Sequence, residues 1–264
     1  MELIDTHCHL NAEQFSDDVN LVIQEALNEN IAKILIPGTD IETSRSAIQL
    51  AEKYDQVYAA VGIHPNEGAR WDSNSRNALY EMTAHPKVVA IGEIGLDYYW
   101  KDCPIDVQKE ILDQQLGIAA EKNLPVILHS RDSLYDLLPI IKQWVTTNPG
   151  RSREQSFGVF HAFEGNWEQA FEIANFNMLV GIGGPVTYKN AVEKHELACR
   201  LSIDQMVLET DAPYLTPHPY RGKRNHPKYI NLIAEKIAQI RNNQIKLVAM
   251  ATTKNANRLF AWET

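Results

Sequence analysis

Eight short apolar runs, each followed by an amphipathic stretch, divide this 264-residue chain from end to end. Strands fit Leu3–Thr6, Lys33–Ile36, Val57–Gly62, Val88–Ile91, Val126–Leu128, Phe157–Phe160, Met178–Gly181 and Met206–Glu209. Most are continuously apolar, which is the pattern of strands covered on both faces. Helices fit Asp17–Glu29, Ile41–Tyr54, Ser73–Ala84, Ile105–Lys122, Ser133–Thr147, Trp167–Phe176 and Lys189–Arg200, with Lys228–Arg241 and Ile245–Phe260 closing the chain. Eight such units in this length predict an α/β fold, a (β/α)8 TIM barrel with residues 1–264 as a single domain, since that fold takes about 250 residues. The runner-up is an open doubly wound sheet, which gathers its ligands at one switch point. No linker or shift of composition divides the chain, and Thr146–Gln155 reads as a surface loop before the sixth strand.

Residues that bind divalent metal stand at the ends of five of these runs, which favours the barrel. His7 and His9 follow the first, Glu93 the fourth, His129 the fifth, His161 the sixth and Asp211 the eighth. In a barrel all strand C-termini open on one mouth, so residues distant in sequence meet there. Two imidazoles spaced i, i+2 on a strand share a face, and imidazole with carboxylate is a ligand mix for a divalent cation. Cys8, between them, turns to the opposite face as a packing residue. Asp5 is either a carboxylate orienting a ligand imidazole or a strand-end hydrogen-bond acceptor. In Ile91-Gly92-Glu93-Ile94-Gly95 the glycines suggest a tight turn around the carboxylate. Glu93 can bridge two cations through its two oxygens. Buried, it needs either metal or a Lys/Arg partner. Asp97 reads as a loop cap in preference to a helper.

His64, in Gly62-Ile63-His64-Pro65, adds a further imidazole at a strand end, whereas His85, His195, His218 and His226 read as surface residues. Asp211 could both bind metal and accept a proton from an attacking water. After it, Tyr220-Arg221-Gly222-Lys223-Arg224-Asn225 is a basic loop in a chain of net charge −9. Its position at the same mouth suggests a phosphate clamp; otherwise it is a solvated charge run. The acidic balance argues against nucleic-acid binding over the whole surface but leaves room for a local phosphate site. Hydrophobic residues make up 44% of the chain, without a continuous run long enough to span a bilayer, and no secretory signal opens it. Three unpaired-looking cysteines fit a reducing, cytoplasmic setting.

Assembled, these residues resemble the TatD family of metal-dependent deoxyribonucleases, within the amidohydrolase-like metallo-barrels. The resemblance covers nearly the whole chain through DTHCHL, VGIHP, IGEIGLDYY, PVILHSRD, GIGGPVTYKN, LETDAPYL and YRGKRN. It implies that His7, His9, Glu93 and Asp211 hold one metal and that Glu93 bridges to a second on His129 and His161. It also implies that His64 touches the substrate phosphate and that Arg221, Lys223 and Arg224 bind phosphate. The family usually reads HCFSG where this chain has His161-Ala162-Phe163-Glu164-Gly165, and Asn-Glu-Pro where it has Asn225-His226-Pro227. Asn11 replaces the commoner Asp. No proposed ligand is touched, though Glu164 adds negative charge near the mouth.

The expected activity is phosphodiester hydrolysis by two metals, with single-stranded DNA as substrate and, by resemblance, attack from the 3′ end. Mg²⁺ or Mn²⁺ suits phosphate, and the histidines also suit Zn²⁺. The alternative on the same fold is an ester or amide hydrolase, such as an aminoacyl-ester deacylase. A binding protein with purely structural metals is a third reading, opposed by ligands placed at the functional face. No membrane or obligate protein partner is indicated.

Overall fold

The structure, a computed structural model, describes residues 1–148, 155–260 and 262. Strands β1 (Leu3–Asp5), β2 (Ile31–Pro37), β3 (Val57–Val61), β4 (Val88–Asp97), β5 (Val126–Arg131), β6 (Gly158–Phe160), β7 (Leu179–Ile182) and β8 (Met206–Leu208) form one parallel sheet in chain order. The edges meet through Thr6 N donating to Leu208 O at 3.0 Å and Asp211 N to His7 O at 2.9 Å. The expected (β/α)8 barrel is therefore present.

Helices α1 (Val19–Asn28), α2 (Ile41–Lys53), α3 (Ser73–Met82), α4 (Ile105–Lys122), α5 (Leu134–Thr147), α6 (Trp167–Asn175) and α7 (Val192–Arg200) alternate with the strands; α8 (Ile230–Ile240) and α9 (Ile245–Phe260) follow β8. Among the described residues no helix is long and apolar enough to cross a membrane. The loop expected over Thr146–Gln155 falls largely on 149–154, outside the described residues.

Local chemistry sets where the helices begin and end. Asp40, Asp72 and Asn166 each cap a helix reciprocally with the residue three further on. Replacing such a cap by Ala costs about 1 kcal/mol. Asn30, Asn123 and Asn177 adopt left-handed backbone between a helix and the strand that follows it. Asparagine tolerates that conformation better than other side-chain-bearing residues, so it turns the chain sharply back to the sheet.

Alternation along the strands separates two cores. Ile34, Ile36, Val57, Ala59, Val126 and Leu128 join the layer under the helices. Their neighbours Leu35, Tyr58 and Ile127 join a second cluster to which every strand contributes, closed by Leu259, Phe260 and Trp262. The chain's end thus plugs the barrel, with Lys33 and Lys87 over the Tyr58 ring. The opposite, C-terminal mouth stays open.

Candidate metal centre

The first strand does not alternate unbroken through to His9. Leu3 and Cys8 both pack in the outer core although an uninterrupted strand would place them on opposite faces. β1 ends at Asp5, whose carboxylate accepts from Thr210 N (2.9 Å), Thr210 Oγ1 (2.5 Å) and His7 N (3.3 Å). Of Asp5's two possible roles, the hydrogen bonds show the strand-end one. The chain then shifts by one residue, leaving Cys8 in the packing layer as expected and turning His7 and His9 to the mouth.

β4 also differs from expectation. It runs on to Asp97 in place of turning at Glu93, and Ile91 and Ile94 pair with Val126 and Leu128. Three steps on β4 match two on β5, so an extra residue bulges at Gly92-Glu93. The glycines serve close packing: a Cβ on Gly92 would meet Ile127 Cβ at 2.6 Å, and Gly95, at φ +147°, lies against the His129 backbone.

The bulge sets Glu93 among five imidazoles. Its Oε2 lies 3.4 Å from His7 Nε2 and 3.6 Å from His9 Nε2, with Asp211 Oδ1 3.4 Å from His9 Nε2 and 3.7 Å from His7 Nε2. Its Oε1 lies 2.9 Å from both His129 Nδ1 and His161 Nε2, and 3.7 Å from His64 Nε2. The Nε2 atoms of His7 and His9 are 3.1 Å apart. Two donors each about 2.1 Å from one cation, at roughly 100°, stand about 3.2 Å apart, so these spacings have the scale of a coordination shell. Glu93 and Asp211 are buried, and among the described residues their ion-pair partners are imidazoles, never Lys or Arg. Of the two ways to compensate Glu93, the donor set therefore fits metal.

Two carboxylates stand behind these donors. Asp97 combines both roles considered for it: Oδ1 caps Tyr99 N and Trp100 N, while Oδ2 lies 3.0 Å from His129 Nε2 and 3.3 Å from Asn66 Nδ2. Glu209, which the sequence reading passed over as a strand's last residue, is fully buried and accepts from Ala162 N. A Glu209 oxygen and ring nitrogens of His7 and His161 lie within 4.8 Å of one another, and those two rings stack at 3.8 Å. A second acid beside Asp211 at the end of an apolar strand was the available signal. Gly181 leaves that carboxylate its room, since a Cβ there would overlap it.

Burial opposes charge on the shifted groups of this cluster; it prevails for some, and charged neighbours overcome it for others. For His161, Glu93 and then Glu209 and Asp211 outweigh burial and lift the ring to about 10. Burial raises Glu209 to about 8 and Asp5 to about 7. Burial and neighbouring imidazoles lower His7 to about 4 and His64 to about 3. Glu93 is held well below the ordinary range because His161, His129 and His7 overcome its burial.

In metal-stripped protein these groups make stability depend on pH. Above pH 7, His7 and His64 are neutral whether folded or unfolded. The folded chain, however, keeps a proton on Glu209 up to about 8 and on His161 up to about 10, protons the unfolded chain has released. Their stabilisation is thus lost as pH rises through those values. The Tm of stripped protein should fall between pH 7 and 10, on the order of 5–10 °C for a few kcal/mol. If a bound metal displaces the His161 proton, loaded protein should fall less. A Tm of stripped protein that rises with pH over this range would contradict the assignment.

A cleft of about 870 Å³ opens over the centre, lined by His9, His64, Glu93, His129, His161 and Asp211 among others. His7 is buried beneath it. The basic loop is placed differently. Arg224 turns away to bond Asp18 at 2.9 and 2.6 Å and the Gln14 carbonyl at 2.5 Å, with its guanidinium over Phe15. Arg221 lies over the Tyr188 ring at 4.5 Å, and neither it, Lys223 nor Arg224 lines the cleft. Glu164 does line it. Among the other histidines, His226 is no surface residue: it is buried, with Nε2 3.1 Å from Glu25 Oε2.

Comparison with known proteins adds the family. A family model described as TatD related DNase matches residues 4–261. The chain is 42% identical over 258 residues to YabD, an uncharacterized metal-dependent hydrolase of Bacillus subtilis (strain 168), covering 98% of each. It is 31% identical over 263 residues to the 3'-5' ssDNA/RNA exonuclease TatD of Escherichia coli (strain K12), covering 98% of each. The crystal structure of YjjV, a TatD homologue from E. coli K12, superposes with a TM-score of 0.90 at 33% identity, covering 98% of both chains. A match running almost from end to end, on a barrel that gathers Glu93, Asp211 and five imidazoles at its mouth, places the chain in the TatD family of metal-dependent hydrolases.

Proposed function

We propose that this chain hydrolyses phosphodiester bonds in single-stranded DNA, working inward from a 3′ end with two divalent metals. The observation that carries the reading is the division of Glu93: one oxygen faces His7 and His9, beside Asp211, and the other faces His129, His161 and His64. A carboxylate so divided suits a bridge between two cations. On this reading His7, His9 and Asp211 complete one ligand set, and His129 and His161 complete the other. Metals held there, Mg²⁺ or Mn²⁺ in function with Zn²⁺ as the alternative, would supply a more acidic water near neutral pH and positive charge for the phosphoryl oxygens. Asp211 takes the proton from the attacking water. His64, at the cleft wall beside Glu93, contacts the substrate phosphate. Relatives named as ssDNA/RNA exonucleases support the substrate class.

The basic loop enters as an outer phosphate contact through Arg221 and Lys223, which are exposed. Arg224 holds the loop to Asp18. Replacing Arg221 and Lys223 together by Ala should weaken DNA binding and reduce the slope of log K against log salt by about 0.7 per lost contact. Metal content should not change. An unchanged slope would leave the loop a solvated charge run.

One observation favours a second reading, hydrolysis of a neutral or cationic ester or amide such as an aminoacyl ester. Glu67, Asp102 and Glu164 add negative charge to the cleft lining. A substrate of that kind would bind with no salt dependence from phosphate contacts, which separates the two readings in the same titration.

A further inference from the structure

Large aromatics are half-exposed on two sides of the cleft that holds the metal-binding cluster. Trp100, just after β4, is 51% exposed, and Tyr214, just after β8, is 52% exposed; both line the cleft. In a barrel whose strands run in order from β1 to β8, the ends of β4 and β8 are four strands apart and face each other across the mouth. A planar ligand stacked on these rings would bury apolar surface at the cleft.

The surrounding chemistry narrows which ligand that is. Trp100 is held by its backbone N–H on Asp97, and its ring stands edge to face with Tyr99 at 5.0 Å. The Arg131 guanidinium lies 4.1 Å over the Tyr99 ring. Among the described residues lining the cleft, Arg131 is the only Lys or Arg. Tyr214 is fixed by its N–H on Asp211 O and by Asn225 Nδ2 on its carbonyl, with its ring 6.1 Å from His9. Each aromatic is therefore anchored to a segment that also carries a member of the metal-binding cluster, and one guanidinium of the cleft lining is positioned on Tyr99, the neighbour of Trp100.

We infer that Trp100 and Tyr214 form a two-sided clamp that stacks unpaired nucleobases flanking the scissile phosphate, with Arg131 on an adjoining phosphate. This inference rests on the phosphodiester reading and names what makes the site prefer single strands. In a duplex each base face is covered by its neighbours. Only an unpaired, unstacked end offers faces to two separate aromatics, and each such contact is worth about 1–3 kcal/mol. Stacking accepts any base, so the clamp confers strand selectivity without sequence selectivity.

The test crosses the aromatic with the base. Metal-loaded wild type, Trp100→Ala, Tyr214→Ala and Trp100→Phe are compared on two single-stranded oligonucleotides. One has bases throughout; the other is abasic in the two nucleotides at each end. For wild type, kcat/KM should favour the base-bearing strand, and each Ala variant should shrink that preference by about 5- to 100-fold, chiefly through KM. Trp100→Phe should retain most of it. Metal content and Tm verify that the variants are loaded and folded. Cleavage with the same base preference in wild type and both Ala variants would overturn the clamp alone. Failure of loaded wild type to cleave either strand would overturn the phosphodiester reading and the clamp with it.

Discussion

Glu93→Gln is expected to lose at least one metal per chain and to lower turnover by on the order of 10³-fold or more, while the protein stays folded. Glutamine matches glutamate in size, so the bulge in β4 and its packing on Ile127 are undisturbed. It lacks the charge that balances two cations, and only its carbonyl oxygen can ligate. Loss should extend beyond one ligand set, because both oxygens of Glu93 are engaged, one on each side. Elemental analysis with circular dichroism checks this. A folded Glu93→Gln protein with full metal occupancy would contradict the bridging role.

Asp211→Asn should lower kcat by about 10²–10⁴-fold and change KM much less, since a proton acceptor acts in the transition state. Asp211 suits that work: burial would raise its carboxyl, but His9, His161 and His7 hold it below the ordinary value, so it is ionised at neutral pH. Its backbone N–H on His7 O joins the two edges of the barrel, and Asn keeps that bond, so the substitution leaves the seam in place. A change confined to KM would make Asp211 a binding group only.

Much of this was legible because it is local and periodic. Continuous apolar runs announced buried parallel strands, and the span Ile105–Lys122 was expected and found as α4. The cluster was legible because a barrel turns strand order into a ring, bringing His7 and Asp211 together across most of the chain. What escaped depends on non-local geometry. No pattern within Ile91–Gly95 distinguishes a turn from a bulge, because the distinction lies in the register with β5. Asp97 meets His129 only once β5 pairs with β4, and Glu209 comes near His7 and His161 only once the barrel closes. Arg224 read as part of one basic run until folding brought Asp18 to its guanidinium. His226 read as a surface residue for the same reason, since its partner Glu25 lies in α1.

One reconstitution decides whether this protein is a metal-dependent phosphodiesterase. Chelated protein is reloaded with Mg²⁺, Mn²⁺ or Zn²⁺, its bound metal is counted, and it is given end-labelled single-stranded DNA, duplex DNA and RNA. No cleavage is expected without metal, and cleavage should rise with the second equivalent bound. The 5′-labelled single strands should shorten progressively from the 3′ end, ahead of duplex. Protein that holds two metals, leaves every strand intact and hydrolyses an aminoacyl ester would contradict the phosphodiesterase reading.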